Sequence, residues 1–383
     1  MGERSMSPSL RVYDAAGWRV AGPVEVELHA SAPVIDAVIA GASPEVGVRR
    51  LDARLVRLTA PSGPLRAALV AADPRVADHL DARLASWRQP PPDLATPAGT
   101  LPTATRPVVM GILNVTPDSF SDGGLAYLPG SHPAPALAAA AGLLEAGAEV
   151  IDVGGESTRP GAAPVAEEDE LARVVPVVRE LAAAGVIVSI DTTKAAVARA
   201  ALDAGAAIVN DVSAGRLDPR LLDTVAAAEV PYVLMHMQGT PRTMQRDPSY
   251  LDVVAEVHHA LDRGLEALLE RGIALQRVVL DPGIGFGKRL EHNLALLHEL
   301  ATFTAFGRPV LVGASRKSFI GQLTGDRGAE ERLEGSLAVA ALAVAEGARI
   351  LRVHDVAETV RAVRVAHAIT APAVAGQPAQ PTA

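Results

Sequence analysis

Eight short apolar runs, each followed by a cluster of polar and small residues, most constrain how this chain can fold. Stretches long enough for a helix separate successive runs. Strands that are buried on both faces have continuous Val, Ile and Leu segments, and connections that contain a helix make neighbouring strands parallel. The pattern predicts a (β/α)8 TIM barrel whose strands are Val108 to Leu113, Val150 to Val153, Val186 to Ile190, Ala207 to Val209, Tyr232 to Met235, Val278 to Leu280, Pro309 to Val312 and Arg349 to Val353.

The barrel accounts for only part of the 383 residues. The segment ahead of it contains strand-like runs at Val24 to Leu28 and Leu55 to Thr59 and a helical stretch around Val76 to Ala85, which together predict a small α/β module without a readable motif. The proline-rich stretch that follows has the composition of a semi-rigid linker. We therefore expect an N-terminal α/β module of unknown role at 1–88, a linker at 89–105, the barrel at 106–370 and a disordered tail at 371–383.

Composition excludes several classes of protein. Hydrophobic residues make up 49% of the chain, yet no run reaches the ~18 apolar residues of a membrane span, and the N-terminus lacks the pattern of a signal peptide. Cysteine is absent, so disulfides and thiolate metal sites are excluded and we expect a cytoplasmic protein. A net charge of −9 provides no general attraction to nucleic acid or anionic membranes.

Polar residues at the strand ends are the first candidates for a functional site, because the active site of such a barrel is built where the strands end. The third, fourth and sixth runs end in Asp191, Asn210 and Asp281. Their oxygen and amide groups would form in-plane hydrogen bonds to a ring that carries N–H donors and ring nitrogens. A single Asp before a helix can instead be an N-cap, and this alternative stays open for Asp191.

Groups that suit an anion or a hard cation follow the first two runs. Asn114 ends the first run, and a neutral amide there can coordinate a cation or contact a phosphate oxygen. Arg159 lies among small residues after the second run, where it would clamp an anion on a closing loop. Alternatively, Arg159 pairs with Glu156.

The last strand carries a further basic pair. Arg352 and His354 point the same way by the two-residue period of a strand, close to the region where barrels commonly bind phosphate. Packing or capping roles for both residues remain alternatives. For His236, after the fifth run, a structural role is as well supported as a catalytic one.

Lysine is scarce in this chain. Of 35 cationic residues only Lys194, Lys288 and Lys317 are lysines, and each lies just beyond a predicted strand. One explanation is a bias towards arginine, and the other is that these positions need a compact ammonium where a planar guanidinium would not fit. Lys317, in the segment Gly313 to Ser318, is the best candidate for the second explanation.

Eight segments at the strand ends span about 260 residues and read GILNVTPDSFSDGG, DVGGESTRPGA, SIDTTK, IVNDVSAG, LMHMQGTPRTMQ, LDPGIGFGK, GASRKSFIG and LRVHDV. Together and in this order, they resemble the motif set of the dihydropteroate synthase family. The resemblance implies a transferase of folate synthesis that condenses 6-hydroxymethyl-7,8-dihydropterin pyrophosphate with 4-aminobenzoate. Its products are 7,8-dihydropteroate and pyrophosphate.

The resemblance also implies roles for individual residues. The pterin would be held by Asp191, Asn210, Met235, Asp281, Phe286 and Lys317, with Ser315 added to the substrate-binding set. Aminobenzoate would be covered by Phe120, Asp122, Thr158, Arg159 and Pro160 and would reach Ser318, whereas Arg159, Arg352 and His354 would contact the pyrophosphate. Asn114 would help to bind Mg2+, and we expect Asp191, Lys317, Arg159 and His354 to be the catalytic residues.

Two alternatives remain within this interpretation. A pterin-dependent methyltransferase shares the recognition of the pterin edge, but it is not expected to carry the Ser315 to Ser318 cluster or the pair of Arg352 and His354. A pterin-binding paralogue without synthase activity would keep these residues and is separated only by a turnover assay. The partners expected from the resemblance are the two small-molecule substrates and a second copy of the chain in a homodimer.

Overall fold

Eight parallel strands form a closed barrel. The structure, a computed structural model, describes residues 9–14, 24–51, 55–60, 62–72, 74–87, 90–116, 133–159, 161–325 and 328–371. The barrel strands are β7 (Val108–Asn114), β8 (Val150–Gly154), β9 (Val188–Asp191), β10 (Ile208–Asp211), β11 (Tyr232–Met235), β12 (Val278–Asp281), β13 (Leu311–Val312) and β14 (Ile350–Val353). They pair in the order β12-β11-β10-β9-β8-β7-β14-β13, and a parallel bridge between Leu280 and Val310 closes the ring.

Helices cover the outside of the barrel and connect successive strands. They are α4 (Ala134–Glu145), α5 (Glu167–Ala183), α6 (Ala195–Asp203), α7 (Arg220–Ala228), α8 (Val253–Glu270), α9 (Leu290–His298), α10 (Ala301–Thr304), α11 (Ser318–Thr324), α12 (Leu333–Ala345) and α13 (Val356–Thr370). Among the helices in the described ranges, none is long and apolar enough to cross a membrane.

The predicted (β/α)8 architecture and all eight predicted strands are confirmed. One strand is markedly shorter than predicted: β13 is reduced to Leu311–Val312 although the apolar run begins at Pro309. Proline has no N–H to donate to a neighbouring strand. Its carbonyl still accepts a hydrogen bond from the Leu280 N–H at 2.9 Å, so this position joins the barrel from one side only.

The interior of the barrel changes from apolar to polar along each strand. Because side chains alternate between the two faces of a strand, residues two apart face the same way. Interior positions near the strand starts are Val150, Ile208, Val279 and Ile350, which belong to one buried cluster. Two residues farther along the same strands are Asp152, Asn210, Asp281 and Arg352. The fold therefore gathers charged groups at the carboxyl ends of the strands, above a packed apolar layer.

The N-terminal module is a four-stranded antiparallel sheet with three helices. Its elements are β1 (Ser9–Asp14), β2 (Val24–His29), α1 (Ala32–Gly41), β3 (Gly47–Arg50), β4 (Leu55–Ala60), α2 (Ser62–Ala72) and α3 (Pro74–Trp87), with strand order β1-β2-β4-β3. Val26, Leu28 and Leu58 pack with the helices in a core separate from that of the barrel. Glu27 is buried and accepts a hydrogen bond from Arg57 Nε at 2.9 Å. The strands β1 and β2 lie against α8, so the module contacts the side of the barrel.

A short hairpin lies inside the segment that the sequence suggests is a linker. Strands β5 (Leu94–Thr96) and β6 (Gly99–Leu101) pair with each other, and Leu94 and Leu101 pack against the apolar layer inside the barrel. The Thr103 hydroxyl donates to the Pro92 carbonyl at 2.7 Å and ties the hairpin to the chain that enters β7. Proline content indicated a spacer, but two leucines at the ends of the hairpin make this segment a plug for the amino-terminal mouth of the barrel.

The plug predicts a specific loss of stability. Replacing Leu94 or Leu101 by alanine removes a fully buried side chain, which typically costs about 2–5 kcal/mol of unfolding free energy. Urea denaturation should show this loss in Leu94→Ala and Leu101→Ala, whereas Thr100→Ala, at an exposed position of the same hairpin, should be close to the parent protein. Unchanged midpoints in both leucine variants would contradict the plug.

Candidate active site

A buried network of charged and amide groups forms the floor of the pocket at the carboxyl ends of the strands. Asp152 Oδ2 accepts hydrogen bonds from Arg352 Nε at 2.6 Å and from Asn210 Nδ2 at 3.1 Å. Arg352 also donates from Nη2 to Asp191 Oδ2 at 2.7 Å. One guanidinium thus bridges two carboxylates from neighbouring strands, and it fixes the orientation of the side chains that the sequence places at this end of the barrel.

Two oxygen atoms of this network remain available to a ligand. Asp152 Oδ1 and Asp191 Oδ1 are buried and have no hydrogen-bond partner among the described residues. A buried polar atom without a partner is costly unless another molecule satisfies it. Burial raises the pKa of Asp191 to about 7. The positive charge of Arg352 opposes this effect, and the negative charges of Asp152, Glu170 and Asp211 add to it. Asp191 therefore changes its protonation state near neutral pH.

Asp281 lies next to this floor, together with Met235 and Phe286, which form an apolar wall of the pocket. Asp281 Oδ1 accepts from the Gly283 N–H at 2.7 Å, and burial raises the pKa of its carboxyl group. Met235 pairs with Asp281 across β11 and β12 and belongs, with Phe286, to a small apolar cluster. A carboxylate next to a small apolar cluster suits a flat ring with polar edges.

Lys317 closes the pocket from the side of β13. Its ammonium donates to the Ile284 carbonyl and lies 4.4 Å from the centre of the Phe286 ring. Burial lowers the pKa of Lys317 to about 8, although the charge of Asp281 partly opposes the effect. The compact ammonium that the sequence suggested at this position therefore lies within the group of predicted site residues.

The segment from Ser315 to Ser318 makes a sharp turn that presents its side chains in different directions. Arg316 has a φ of 59°, in the left-handed region, and is held by hydrogen bonds from its N–H to Ser336 Oγ at 2.9 Å and from its Nε to Asp355 Oδ2 at 3.0 Å. Ser318 begins α11 and is exposed. The turn explains why Arg316 points away towards Asp355 while Lys317 reaches the pocket.

His354 is neutral at physiological pH. Burial, together with the positive charges of Arg352 and Arg316, lowers its pKa to about 4. Its Nδ1 lies 3.1 Å from Ser315 Oγ. When the serine hydroxyl donates to Nδ1, the imidazole carries its hydrogen on Nε2 and can donate it to an anion. The predicted anion site thus gains a neutral donor here.

The loop between β8 and α5 carries the remaining predicted residues that can be described. Thr158 borders a cavity that also contains Asp191, and Arg159 is exposed. The charge of Arg159 contributes to the lowered pKa of His354, so the loop and the end of β14 face the same space. Glu156 forms an ion pair with Lys194. The alternative that Arg159 pairs with Glu156 is therefore not what the structure shows. Phe120, Asp122 and Pro160 lie outside the described residues.

Asn114 offers oxygen to a cation at the end of β7. A side chain built at Gly154 would begin 3.8 Å from Asn114 Oδ1 and 3.6 Å from Asp191 Oδ2, so these two oxygens flank one small space. Among the residues that the structure describes, no group of three His, Asp or Glu side chains could hold a metal on its own. Mg2+ commonly takes one or two protein ligands and completes its shell with phosphate oxygens and water. The arrangement therefore fits a magnesium ion that arrives with an anionic substrate.

The other two lysines and His236 have structural partners. Lys288 is almost fully buried, and its Nζ contacts His236 Nδ1 at 3.0 Å, the His236 carbonyl at 3.3 Å and the Phe286 carbonyl at 3.0 Å. Burial and the charge of Lys288 lower the pKa of His236 well below its ordinary value. Lys288 and His236 join the two segments that form the apolar wall. The position of His236 therefore favours the structural role over the catalytic one.

Asp152 is the central residue that the sequence analysis did not select. It lies within β8 rather than after it, although its carboxylate connects Asn210 with Arg352. The available signal was a charged residue in an otherwise apolar run, one residue before the end of the predicted strand Val150 to Val153. A charged residue that faces inward near the end of a barrel strand is therefore as good a candidate for the site as a charged residue in the loop that follows.

Loss of Asp152 should destabilise the whole floor. Asp152→Ala leaves Asn210 and one edge of Arg352 without their acceptor, and breaking a buried charged pair from one side typically costs about 3–5 kcal/mol of unfolding free energy. Chemical denaturation of Asp152→Ala, compared with the exposed control Asp203→Ala, measures the effect. A loss no larger in Asp152→Ala than in the control would show that the network does not stabilise the fold.

Comparison with known proteins identifies the family. A family profile described as pterin binding enzyme matches residues 110–354. The dihydropteroate synthase of Escherichia coli K12 is 50% identical over 273 residues, covering 70% of this chain and 94% of the relative. That of Synechocystis sp. is 42% identical over 281 residues, covering 73% of this chain and 96% of the relative.

Solved structures agree with this assignment. The Yersinia pestis dihydropteroate synthase, solved with a sulfonamide drug complex, has a TM-score of 0.69 and 46% identity, and the match covers 73% of this chain and all of that one. The Xanthomonas albilineans enzyme, solved in complex with 7,8-dihydropteroate, has a TM-score of 0.62 and 46% identity over 70% of this chain and 95% of that one. The chain belongs to the dihydropteroate synthase family of pterin-binding barrels.

Proposed function

We propose that this chain condenses 6-hydroxymethyl-7,8-dihydropterin pyrophosphate with 4-aminobenzoate to give 7,8-dihydropteroate and pyrophosphate. The observation that carries the proposal is the convergence of acceptors, a buried ammonium and anion-binding groups at one end of the barrel. Asp281, Lys317 and Arg352 come from three different strand ends and act on one another electrostatically. This set matches a substrate with a hydrogen-bonding ring at one end and a pyrophosphate at the other.

The ring would bind between the floor and the apolar wall. Asp281 Oδ2 and the unpartnered Oδ1 atoms of Asp152 and Asp191 supply acceptors for ring N–H groups. Asn210 supplies an amide at the same level, and Lys317 would leave the Ile284 carbonyl for an acceptor on the ring. Met235 and Phe286 would contact the flat faces, and Ser315 and His354 complete the side nearest the pyrophosphate.

The pyrophosphate would be held by groups that do not compete with the ring. Arg352 and Arg159 supply positive charge, and the neutral His354 donates one hydrogen bond. Asn114 would help to hold Mg2+, which when bound would stabilise the negative charge of the leaving group.

The reaction requires no nucleophilic residue. The bond between the pterin methylene and the pyrophosphate oxygen breaks, and its electron pair leaves with the pyrophosphate. Positive charge then develops on the methylene, where an ionised Asp191 is the nearest stabilising group on the floor. The neutral amine of aminobenzoate attacks the methylene with its lone pair, and the nitrogen afterwards loses a proton to solvent or to the released phosphate.

Aminobenzoate would enter over the loop between β8 and α5. Thr158 and Arg159 lie on the described part of this loop, and Ser318, which the family resemblance assigns to the aminobenzoate carboxylate, is exposed at the start of α11. Pro160, Phe120 and Asp122 complete the proposed cover. The solved relative from Yersinia pestis binds a sulfonamide, and we propose the same inhibitor class for this chain because a sulfonamide resembles aminobenzoate in shape and charge.

We also propose a cytoplasmic homodimer. Leu342 on α12 and Val365 and Ile369 on α13 are 68%, 62% and 77% exposed and border one apolar groove. A contiguous apolar surface of this kind favours association. The N-terminal module lies against α8 and therefore leaves this surface free for a second copy.

The pH dependence of turnover should reflect Asp191 and Lys317. Asp191 loses its negative charge as the pH falls below its pKa of about 7, and Lys317 loses its proton as the pH rises above its pKa of about 8. We expect kcat/KM, measured with Mg2+, the pterin pyrophosphate and aminobenzoate, to decrease on both sides of this interval. The residual activity of Lys317→Ala should lack the alkaline decrease.

Lysine at 317 should not be replaceable by arginine. A planar guanidinium cannot substitute for a point donor in this space, so Lys317→Arg should be about as poor as Lys317→Ala. The exposed control Arg271→Ala should retain parental turnover. Near-normal turnover of Lys317→Arg would exclude the proposed role, and no dihydropteroate from the parent protein would exclude the synthase function in favour of a pterin-binding paralogue.

The dimer predicts that a charge on the apolar groove produces monomers. Sedimentation should show a dimer for the parent protein and a monomer for Ile369→Glu, because the introduced carboxylate would be desolvated at the interface. Leu251→Glu is a matched control, since Leu251 is 99% exposed but lies outside the groove. A dimer that persists in Ile369→Glu would place the interface elsewhere.

A further inference from the structure

The loop that carries Thr158 and Arg159 is attached to its surroundings at few points. At its start, the Gly155 carbonyl accepts a hydrogen bond from Arg173 Nη1 of α5 at 2.8 Å. Its backbone contact with the loop after β11, from the Gly161 N–H to the Pro241 carbonyl, is long at 3.4 Å. Within the loop, the contact between the Arg159 N–H and Ser157 Oγ is also 3.4 Å. The ion pair of Glu156 with Lys194 therefore stands out, because it joins this loop to the segment after the neighbouring strand β9.

Lys194 is anchored on its other side by a buried carboxylate. Glu170, in the first turn of α5, has a side chain only 1% exposed and forms a second ion pair with Lys194. The remaining oxygen of Glu170 accepts a hydrogen bond from the Thr192 hydroxyl at 2.7 Å. One partner of Lys194 is thus fixed in the barrel, whereas the other, Glu156, belongs to the loop.

The balance of charge makes the ammonium indispensable to this arrangement. Two carboxylates share one cation, so removal of Lys194 would leave Glu156 and Glu170 to repel each other. Burial by itself would lower the pKa of Lys194, but its hydrogen bonds to the two carboxylates outweigh burial and raise that pKa. Lys194 therefore remains charged wherever the two carboxylates are ionised.

These groups border the space between the two halves of the proposed site. Glu156, Glu170 and Thr192 line a cavity of about 220 Å³ together with Asp191 and Thr158. Asp191 belongs to the floor below the reacting methylene, and Thr158 belongs to the proposed aminobenzoate cover. The position of the loop relative to the floor is consequently set across this cavity.

We propose that Lys194 is a positioning residue that holds the described parts of the loop after β8, residues 155–159 and 161–166, over the aminobenzoate site through Glu156, with Glu170 as its fixed anchor. The inference rests on the proposed function for the identity of the substrate, but the attachment itself does not. It also accounts for the second of the three lysines: two acceptors approach this ammonium from different segments, a geometry that a flexible point donor satisfies more easily than a planar fork.

The attachment can be tested without substrate. Hydrogen exchange of the backbone amides of residues 155–166 should be faster in Lys194→Met and in Glu156→Ala than in the parent protein. Glu168→Gln is the matched control, because it removes an exposed carboxylate from the same turn of α5 as Glu170 and should leave the exchange unchanged. Equal exchange in the parent protein, in Lys194→Met and in Glu156→Ala would overturn the proposal.

A second measurement covers the case in which Lys194→Met is too unstable. With only three lysines in the chain, protein labelled with carbon-13 at the lysine ε-carbon gives three methylene signals, and assignment needs only one substitution at each position. The signal of Lys194 should shift in Glu156→Ala, while those of Lys288 and Lys317 should not. An unshifted Lys194 signal would mean that the ion pair does not form in solution.

Kinetics connect the attachment to catalysis. Losing a hydrogen bond to a charged group is expected to raise the KM for aminobenzoate about tenfold in Glu156→Ala and in Lys194→Met, with pterin affinity by calorimetry within about twofold of the parent. The double variant should be no worse than the poorer single variant, because both remove the same contact. A role confined to stability would weaken the binding of both substrates alike, and such a result would refute the positioning role. Additive losses in the double variant, or an unchanged KM for aminobenzoate, would also refute it. Failure of the parent protein to turn over would refute the proposed function and leave the exchange result to be judged separately.

Discussion

The buried carboxylate of Asp152 is the contact on which the arrangement of the site depends. It accepts from Arg352 and Asn210, which come from strands on either side of β8 around the barrel, and Arg352 extends the network to Asp191. Charges in a dry interior are tolerated only when paired in good geometry. The relative register of these strands is therefore coupled to the positions of the groups that would recognise the ring.

Rigid and adaptable parts of the site are built from different segments. The floor groups lie on strands within the barrel, so their positions follow from backbone pairing. The loop after β8 is instead held by a hydrogen bond from Arg173 to the Gly155 carbonyl at its start, by the ion pair between Glu156 and Lys194, and by long backbone contacts. A reaction with two substrates is consistent with this division, since one part binds a preformed ring while the other must admit a second molecule.

The three lysines illustrate how position determines the use of one chemical group. Lys317 reaches the pocket, Lys288 joins the segments of its apolar wall, and Lys194 joins a loop to the barrel. Lys194 and Lys288 each donate to more than one acceptor. Lys317 instead lies between the Ile284 carbonyl and the Phe286 ring. Scarcity in the sequence indicated that these positions were unusual, but it did not distinguish the three roles.

The sequence by itself determined the eight strands, their parallel order and the end of the barrel where function lies, because buried runs and polar strand ends are local patterns. It also indicated Asp191, Asn210, Asp281 and Lys317 through their positions. Only the tertiary structure decided that Asp152 connects Asn210 with Arg352, that Glu156 pairs with Lys194 rather than Arg159, and that Leu94 and Leu101 plug the barrel. These contacts join residues far apart along the chain, and local composition carries no information about which distant partner will satisfy a buried charge or cover an apolar mouth.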